Sequence, residues 1–217
     1  MPDRRLDLFS IPVWRGNTDD GSLIKTAEGL AYEFRENVGR AALVSDGWDR
    51  QETSDDPEDF KRKGVTSFKN CNLLDHSKWW PIADAIHRFA AELMSPEWDV
   101  SGLRICNMWA TIYPRGAWVP EHIHSTFTIS GVFYVKAPED CGEIVFKDPG
   151  WVAKVACNNG ESTFPIDGTR KRINPRTGDL LLFPSWLPHY TEPNKSEEDR
   201  IIVSFNLVFD TPPKRIV

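Results

Sequence analysis

The sequence predicts a mainly β fold with flanking helices, a double-stranded β-helix (jelly roll) of two facing sheets built around one metal ion, and three observations predict it. Near residue 103 the apolar periodicity changes from helical spacing to alternation. Beyond that point about eight short runs are separated by Gly, Pro and Asn turns, the mark of antiparallel β structure. Three of the five histidines in the chain, His122, His124 and His189, fall in this same half.

The elements follow in order. After Ser22, a candidate N-cap, Leu23, Ala27, Leu30, Ala31, Phe34 and Val38 recur at helical spacing and Gly39 supplies a stop, which predicts an amphipathic helix. The stretch 40–70 is polar, with Asp55, Asp56, Pro57, Glu58 and Asp59 together, and reads as loop. A second helix follows Ser77, where Trp79, Ile82, Ala83, Ile86, Phe89, Ala90 and Leu93 make one apolar stripe that Ser95 and Pro96 end. Strands are predicted over 103–113, 122–125, 128–136, 142–147, 162–166, 179–183, 189–192 and 200–209. The basic clusters 61–63 and 170–172 read as solvated loop charges.

With 217 residues the chain suits a single domain, 1–217, whose helical and loop part, 1–102, packs on a barrel over 103–210. Its 40% hydrophobic and 27% charged residues are a globular balance. A net charge of −6 provides no positive field for phosphate backbones or an anionic membrane surface, so nucleic acid is a disfavoured partner. No apolar run reaches membrane-spanning length, and the charged segment 1–21 lacks the apolar core of a secretory signal. Cys71, Cys106, Cys141 and Cys157 are widely spaced with no C-x-x-C pair, which fits apolar fillers in a reduced cytoplasm. A homo-oligomer stays open.

Chemistry enters with the histidines. If 121–125 is extended, His122 and His124 project from one face and Ile123 from the other. A third ligand then has to come from a strand brought alongside, and His189 is the candidate. Imidazole sets with open positions suit first-row metals, iron above all. His76 and His87 read as surface or hydrogen-bonded core histidines.

In the last strand, alternation places Arg200, Ile202, Ser204 and Asn206 on one face and Ile201, Val203, Phe205 and Leu207 on the other. Both faces read as covered. A buried guanidinium costs several kcal/mol unless paired, which leaves two readings: an ion pair with one of the acids, or a bidentate grip on a dicarboxylate ligand. Asn107, Trp109, Thr111 and Tyr113 share one side of the first long strand, opposite Cys106, Met108, Ala110 and Ile112, so Tyr113 can offer its hydroxyl to the same interior. Tyr134 is a further phenol on a central strand.

Taken together, Tyr113-Pro-Arg-Gly-Ala-Trp-Val-Pro-Glu-His122-Ile-His124, then Ser130-Gly-Val-Phe-Tyr-Val, Gly142-Glu-Ile-Val-Phe, Gly178-Asp-Leu-Leu-Leu-Phe-Pro-Ser, His189 and Arg200 resemble the iron(II)/2-oxoglutarate-dependent oxygenase superfamily. The resemblance covers 103–209. It implies a dioxygenase, a hydroxylase in which iron(II), 2-oxoglutarate and O2 oxidise a C–H bond of a primary substrate. It makes His122 the first metal ligand and His189 the distal one, Arg200 the grip on the far carboxylate of 2-oxoglutarate, and Ser204, Tyr113 and Tyr134 further contacts to the co-substrate. Where the superfamily has a carboxylate this chain has His124, as in an uncharacterised subgroup reading H-x-H; the departure removes one negative charge. Glu121 is pointed away by alternation. Trp118, Trp151 and Trp186, near the ligand segments, are candidates to line a substrate entrance. The rival reading is a cupin-type protein of the same barrel, an isomerase or a dioxygenase whose three-histidine site does not use 2-oxoglutarate; Arg200 and the tyrosines discriminate. A binding module with a structural metal is the second rival, and it lacks the fourth protein ligand such sites carry.

Overall fold

A computed structural model describes residues 10–37, 65–68, 71–150 and 169–211. These form nine strands and two α-helices: β1 (Trp14–Asn17), α1 (Gly21–Asn37), β2 (Val65–Thr66), α2 (Trp80–Met94), β3 (Leu103–Tyr113), β4 (Ile129–Lys136), β5 (Ile144–Lys147), β6 (Arg170–Ile173), β7 (Asp179–Pro184), β8 (His189–Thr191) and β9 (Arg200–Phe209). The strands make a six-stranded sheet, β1-β7-β4-β9-β3-β2, and a three-stranded sheet, β6-β5-β8, with antiparallel pairing throughout. This is the two-sheeted jelly roll that the periodicity predicts.

The large sheet is apolar on both faces because it is covered on both. On its outer face Met108, Ala110, Ile112, Leu180, Leu182, Ile201, Val203, Phe205 and Leu207 pack with Ala27 and Ala31 of α1 and Ile82, Ile86, Ala90 and Met94 of α2. On its inner face Tyr113, Val132, Tyr134, Leu181, Phe183 and Ile202 meet Ile144 and Phe146 of the small sheet. Residues 180 to 183 thus alternate strictly between two cores. Gly131 of β4 admits this packing, since a Cβ there would lie 2.2 Å from the Phe205 ring.

The structure corrects the sequence reading at several elements. Asp20, not Ser22, caps α1, its Oδ1 accepting from the amides of Ser22 and Leu23 at 3.0 Å each. After Ser77 the chain first makes a 3-10 turn, Ser77–Trp79, and α2 itself begins at Trp80. Segment 122–125 is not a strand; it is an extended edge held by one bridge, His122 to His189. Arg170–Ile173, read as loop, is the edge strand β6, whose basic side chains face solvent while its backbone pairs with β5. β2 lies inside the stretch read as loop, and β1 precedes every predicted element. Both are too short to show a period, and they form because β3 and β7 offer them backbone partners. The predicted strand 162–166, the cluster 61–63, Gly39, Trp151 and Cys157 lie outside the described residues.

Candidate metal centre

The three imidazoles converge. A candidate ligand atom from each of His122, His124 and His189 lies within 4.8 Å of the others, and the Nε2 atoms of His122 and His124 are 3.2 Å apart. His122 is positioned by its backbone: its N–H donates to the His189 carbonyl at 2.9 Å and its carbonyl accepts from the His189 N–H at 3.0 Å. His124 donates its N–H to the Ser185 carbonyl at 2.8 Å, and Thr191 and Val119 are joined in the same way at 3.0 Å. A stretch without regular structure is therefore laced to β8 and the end of β7, and alternation survives without a strand. Ile123, between the two histidines, is exposed. Glu121 turns outward to an ion pair with Lys147 at 3.0 Å.

Hydrogen bonding dictates which nitrogen is free. His122 Nδ1 lies 2.8 Å from the Pro120 carbonyl and His189 Nδ1 lies 2.9 Å from the Leu187 carbonyl; a carbonyl only accepts, so both Nδ1 atoms carry hydrogen. His124 Nδ1 lies 2.7 Å from Asn206 Oδ1 and 2.9 Å from Ser130 Oγ. Each Nε2 is then a lone pair turned toward the other two, an arrangement that a cation satisfies. Two imidazole nitrogens about 2.1 Å from one ion and at right angles sit about 3 Å apart, which the 3.2 Å spacing matches. Burial takes His124 down from 6.5 to about 4 against the opposing effect of its hydrogen bond to Asn206 Oδ1; burial and then the neighbouring His122 lower His189 well below its ordinary value. Neutral imidazoles are the ligating form.

Arg200 is 1% exposed at the start of β9. Its Nη1 donates to the carbonyls of Cys141 at 2.6 Å, Glu192 at 3.2 Å and Gly142 at 3.4 Å, and its Nη2 donates to Thr191 Oγ1 at 3.0 Å. The positive φ of Gly142, 87°, turns this carbonyl cradle toward the guanidinium, and a Cβ there would stand 2.3 Å from the Glu192 oxygen. Every one of these acceptors is neutral, and no carboxylate of the described residues pairs with Arg200. Its Nε is buried with no partner. The ion-pair reading thus finds no acid, whereas an entering carboxylate has a free N–H to meet it.

The other sequence candidates divide. Tyr113 pairs across from Arg200 and places its ring 4.5 Å from the guanidinium carbon, and the buried Tyr134 is held above its usual range by burial, with Arg200 pulling the other way. Ser204 shares their face but lies between Ile202 and Asn206, across from Trp109 and Val132. Phe183 and Phe146 flank His189 at 4.6 and 6.1 Å between ring centroids. Trp118 and Trp186 are about half exposed, at 48% and 52%. Asn206, Ser130, Asn107 and Thr191 are not among the site residues that the sequence singles out, although Asn206, an amide on the same face of β9 as Arg200 and Ser204, carries a signal.

Residues 107–206 match the family model described as "Putative 2OG-Fe(II) oxygenase". That segment, which holds all three histidines and Arg200, is similar to the 2OG-Fe(II) oxygenases that the model describes. Solved structures share the fold across most of the chain. SnoK, a non-heme alpha ketoglutarate dependent carbocyclase from nogalamycin biosynthesis, superposes with a TM-score of 0.62 at 14% identity, covering 94% of this chain and 82% of its own. HygX from Streptomyces hygroscopicus, crystallised with nickel and 2-oxoglutarate, gives 0.56 at 14% identity, with 92% and 84% covered. A Pseudomonas putida prolyl-4-hydroxylase gives 0.54 at 16% identity, with 92% and 94% covered. No curated protein matches the sequence.

Proposed function

We propose that this chain is a 2-oxoglutarate-dependent non-haem iron dioxygenase in which His122, His124 and His189 hold iron(II), and Arg200 with Tyr113 and Tyr134 receives 2-oxoglutarate. The observation that carries the proposal is a buried guanidinium with only neutral partners in the same interior as three converging imidazole lone pairs. A cupin-type three-histidine site that does without the co-substrate leaves that charge unexplained, and the family match favours the oxygenase over it.

Each residue has a task. His189 and Thr191 face the same side of β8, about 7 Å apart at strand rise, so the carboxylate grip on Thr191 stands one short dicarboxylate length from the metal ligands. Arg200 binds the far carboxylate through Nε and the remaining Nη2 hydrogen. The Tyr113 ring under the guanidinium fixes its plane. Val132, Leu181, Phe183 and Ile202 keep the interior dry, which strengthens the charge pairing. Iron(II) with 2-oxoglutarate supplies O2 activation, coupled to decarboxylation to succinate, for oxidation of a C–H bond. The half-exposed Trp118 and Trp186, which lie within a few residues of His122 and His189 in the chain, are our candidates to meet the primary substrate. A cytoplasmic location suits the free thiols of Cys71, Cys106 and Cys141, and no helix of the described residues is long and apolar enough to cross a membrane.

Anaerobic addition of iron(II) and 2-oxoglutarate is expected to give a visible metal-to-ligand charge-transfer band. His189→Ala should lose iron. Arg200→Ala should keep iron and bind 2-oxoglutarate roughly 10–100-fold more weakly, the value of a charge-assisted hydrogen bond. Bound iron with no such band, or equal loss of iron in both variants, overturns the assignment.

A further inference from the structure

A row of polar side chains crosses the large sheet in register beside His124. Asn107 on β3 faces Asn206 on β9, and Asn206 faces Ser130 on β4. Ser185, one residue past β7, completes the row with its Oγ 2.8 Å from that of Ser130. Asn206 Nδ2 donates to Asn107 Oδ1 at 2.8 Å, and Ser130 Oγ donates to Asn206 Oδ1 at 2.7 Å. Asn206 and Ser130 are buried at 1% and 0% exposure, where an unbonded amide or hydroxyl costs free energy. A register shift between Ile105 and Asn107 builds the row. Ile105 packs against the helix-side core, so unbroken alternation would have turned residue 107 to that side as well.

The histidines differ in how their rings are held. His122 and His189 each use the carbonyl two residues earlier, Pro120 and Leu187. The corresponding carbonyl for His124 belongs to His122, and it is taken by the His189 N–H. His124 has no local acceptor, and a side chain from β9 stands where one is needed.

We propose that Asn206 is the positioning residue of His124: its amide oxygen, oriented by Asn107, takes the Nδ1 hydrogen and so aims the Nε2 lone pair at the point where those of His122 and His189 meet. The proposal rests on the triad holding a cation. Because the acceptor is an amide, orientation is achieved without returning to the site the negative charge that His124 removed.

Cobalt(II) titration and nitrogen-15 NMR of the metal-free protein test it. Wild type should show His124 as the Nδ1–H tautomer. Asn206→Leu, which keeps the volume and removes the acceptor, should bind cobalt(II) about 10–100-fold more weakly and lose the single tautomer. Asn206→Asp, which keeps an acceptor, should restore both. An Nε2–H tautomer in wild type, or an Asn206→Leu protein that retains wild-type affinity and tautomer, overturns the proposal. Should Asn206→Leu fail to fold, Asn107→Ala decides, since it frees the Asn206 amide to turn over: two tautomers are expected, and one unchanged tautomer overturns it. Failure of the triad reading is separate, appearing as cobalt(II) binding that His189→Ala leaves intact, while the tautomer still tests Asn206.

Discussion

An imidazole at position 124 changes the electrostatics of the centre at one residue. In the proposed site, three neutral ligands would leave a dication uncompensated by protein charge, so the anionic co-substrate would carry the neutralisation. The same neutrality governs pH behaviour. His124 is lowered from 6.5 to about 4, so between these values the unfolded chain binds a proton that the folded chain refuses. Stability of the metal-free protein therefore rises with pH through that window, is fully present above 6.5, and is lost as pH falls toward 4. For His124 the difference is on the order of 3 kcal/mol. Melts of metal-free protein should show Tm falling from pH 7 to about pH 4.5, and more steeply than in His124→Gln; a flat profile common to both would contradict this account.

At the scale of elements, a close approach at Gly131 sits in the middle of the large sheet. Gly131 leaves room for Phe205, whose ring points into the core beneath the helices. Gly131→Ala puts a methyl where the ring stands, and overpacking a sealed core costs typically 1–3 kcal/mol. Chemical denaturation should show that loss while the site residues, all on the opposite face or on other segments, keep their metal affinity. These strands were legible because each long one alternates between two apolar cores or keeps one polar face. The strand predicted over 122–125 was not realised because Pro120 and the exposed Ile123 leave that edge with a single bridge. Yet the inference drawn from alternation held, since extension of the chain, not membership of a sheet, sets the facing of His122 and His124.

For the whole molecule, metal binding and folding are linked. The three proposed ligands, His122 and His124 ahead of β4 and His189 on β8, are brought together by the His122 to His189 bridge, so a cation held by them would bind only the folded arrangement. Saturating metal at about 100 times its Kd should add about 2.7 kcal/mol, a rise in Tm of roughly 5–10 °C for a chain of this size. Calorimetry with nickel or cobalt(II) should show the rise in wild type and none in His189→Ala. An equal rise in both would place the metal elsewhere.

What the sequence alone determined is local and periodic: the two helices, the long strands, the facing of Arg200, Ile202, Ser204 and Asn206, and the histidine types that favour a first-row metal. Periodicity is a property of neighbouring residues, so it can be read without knowing what packs on what. Tertiary structure alone decided that His189 meets His122 and His124, that Arg200 finds carbonyls and a threonine instead of an acid, and that Asn107, Asn206 and Ser130 fall in one row. Each of these joins residues far apart in the chain through strand register, and a register shift of one residue near Cys106 is enough to change which side chains share the interior.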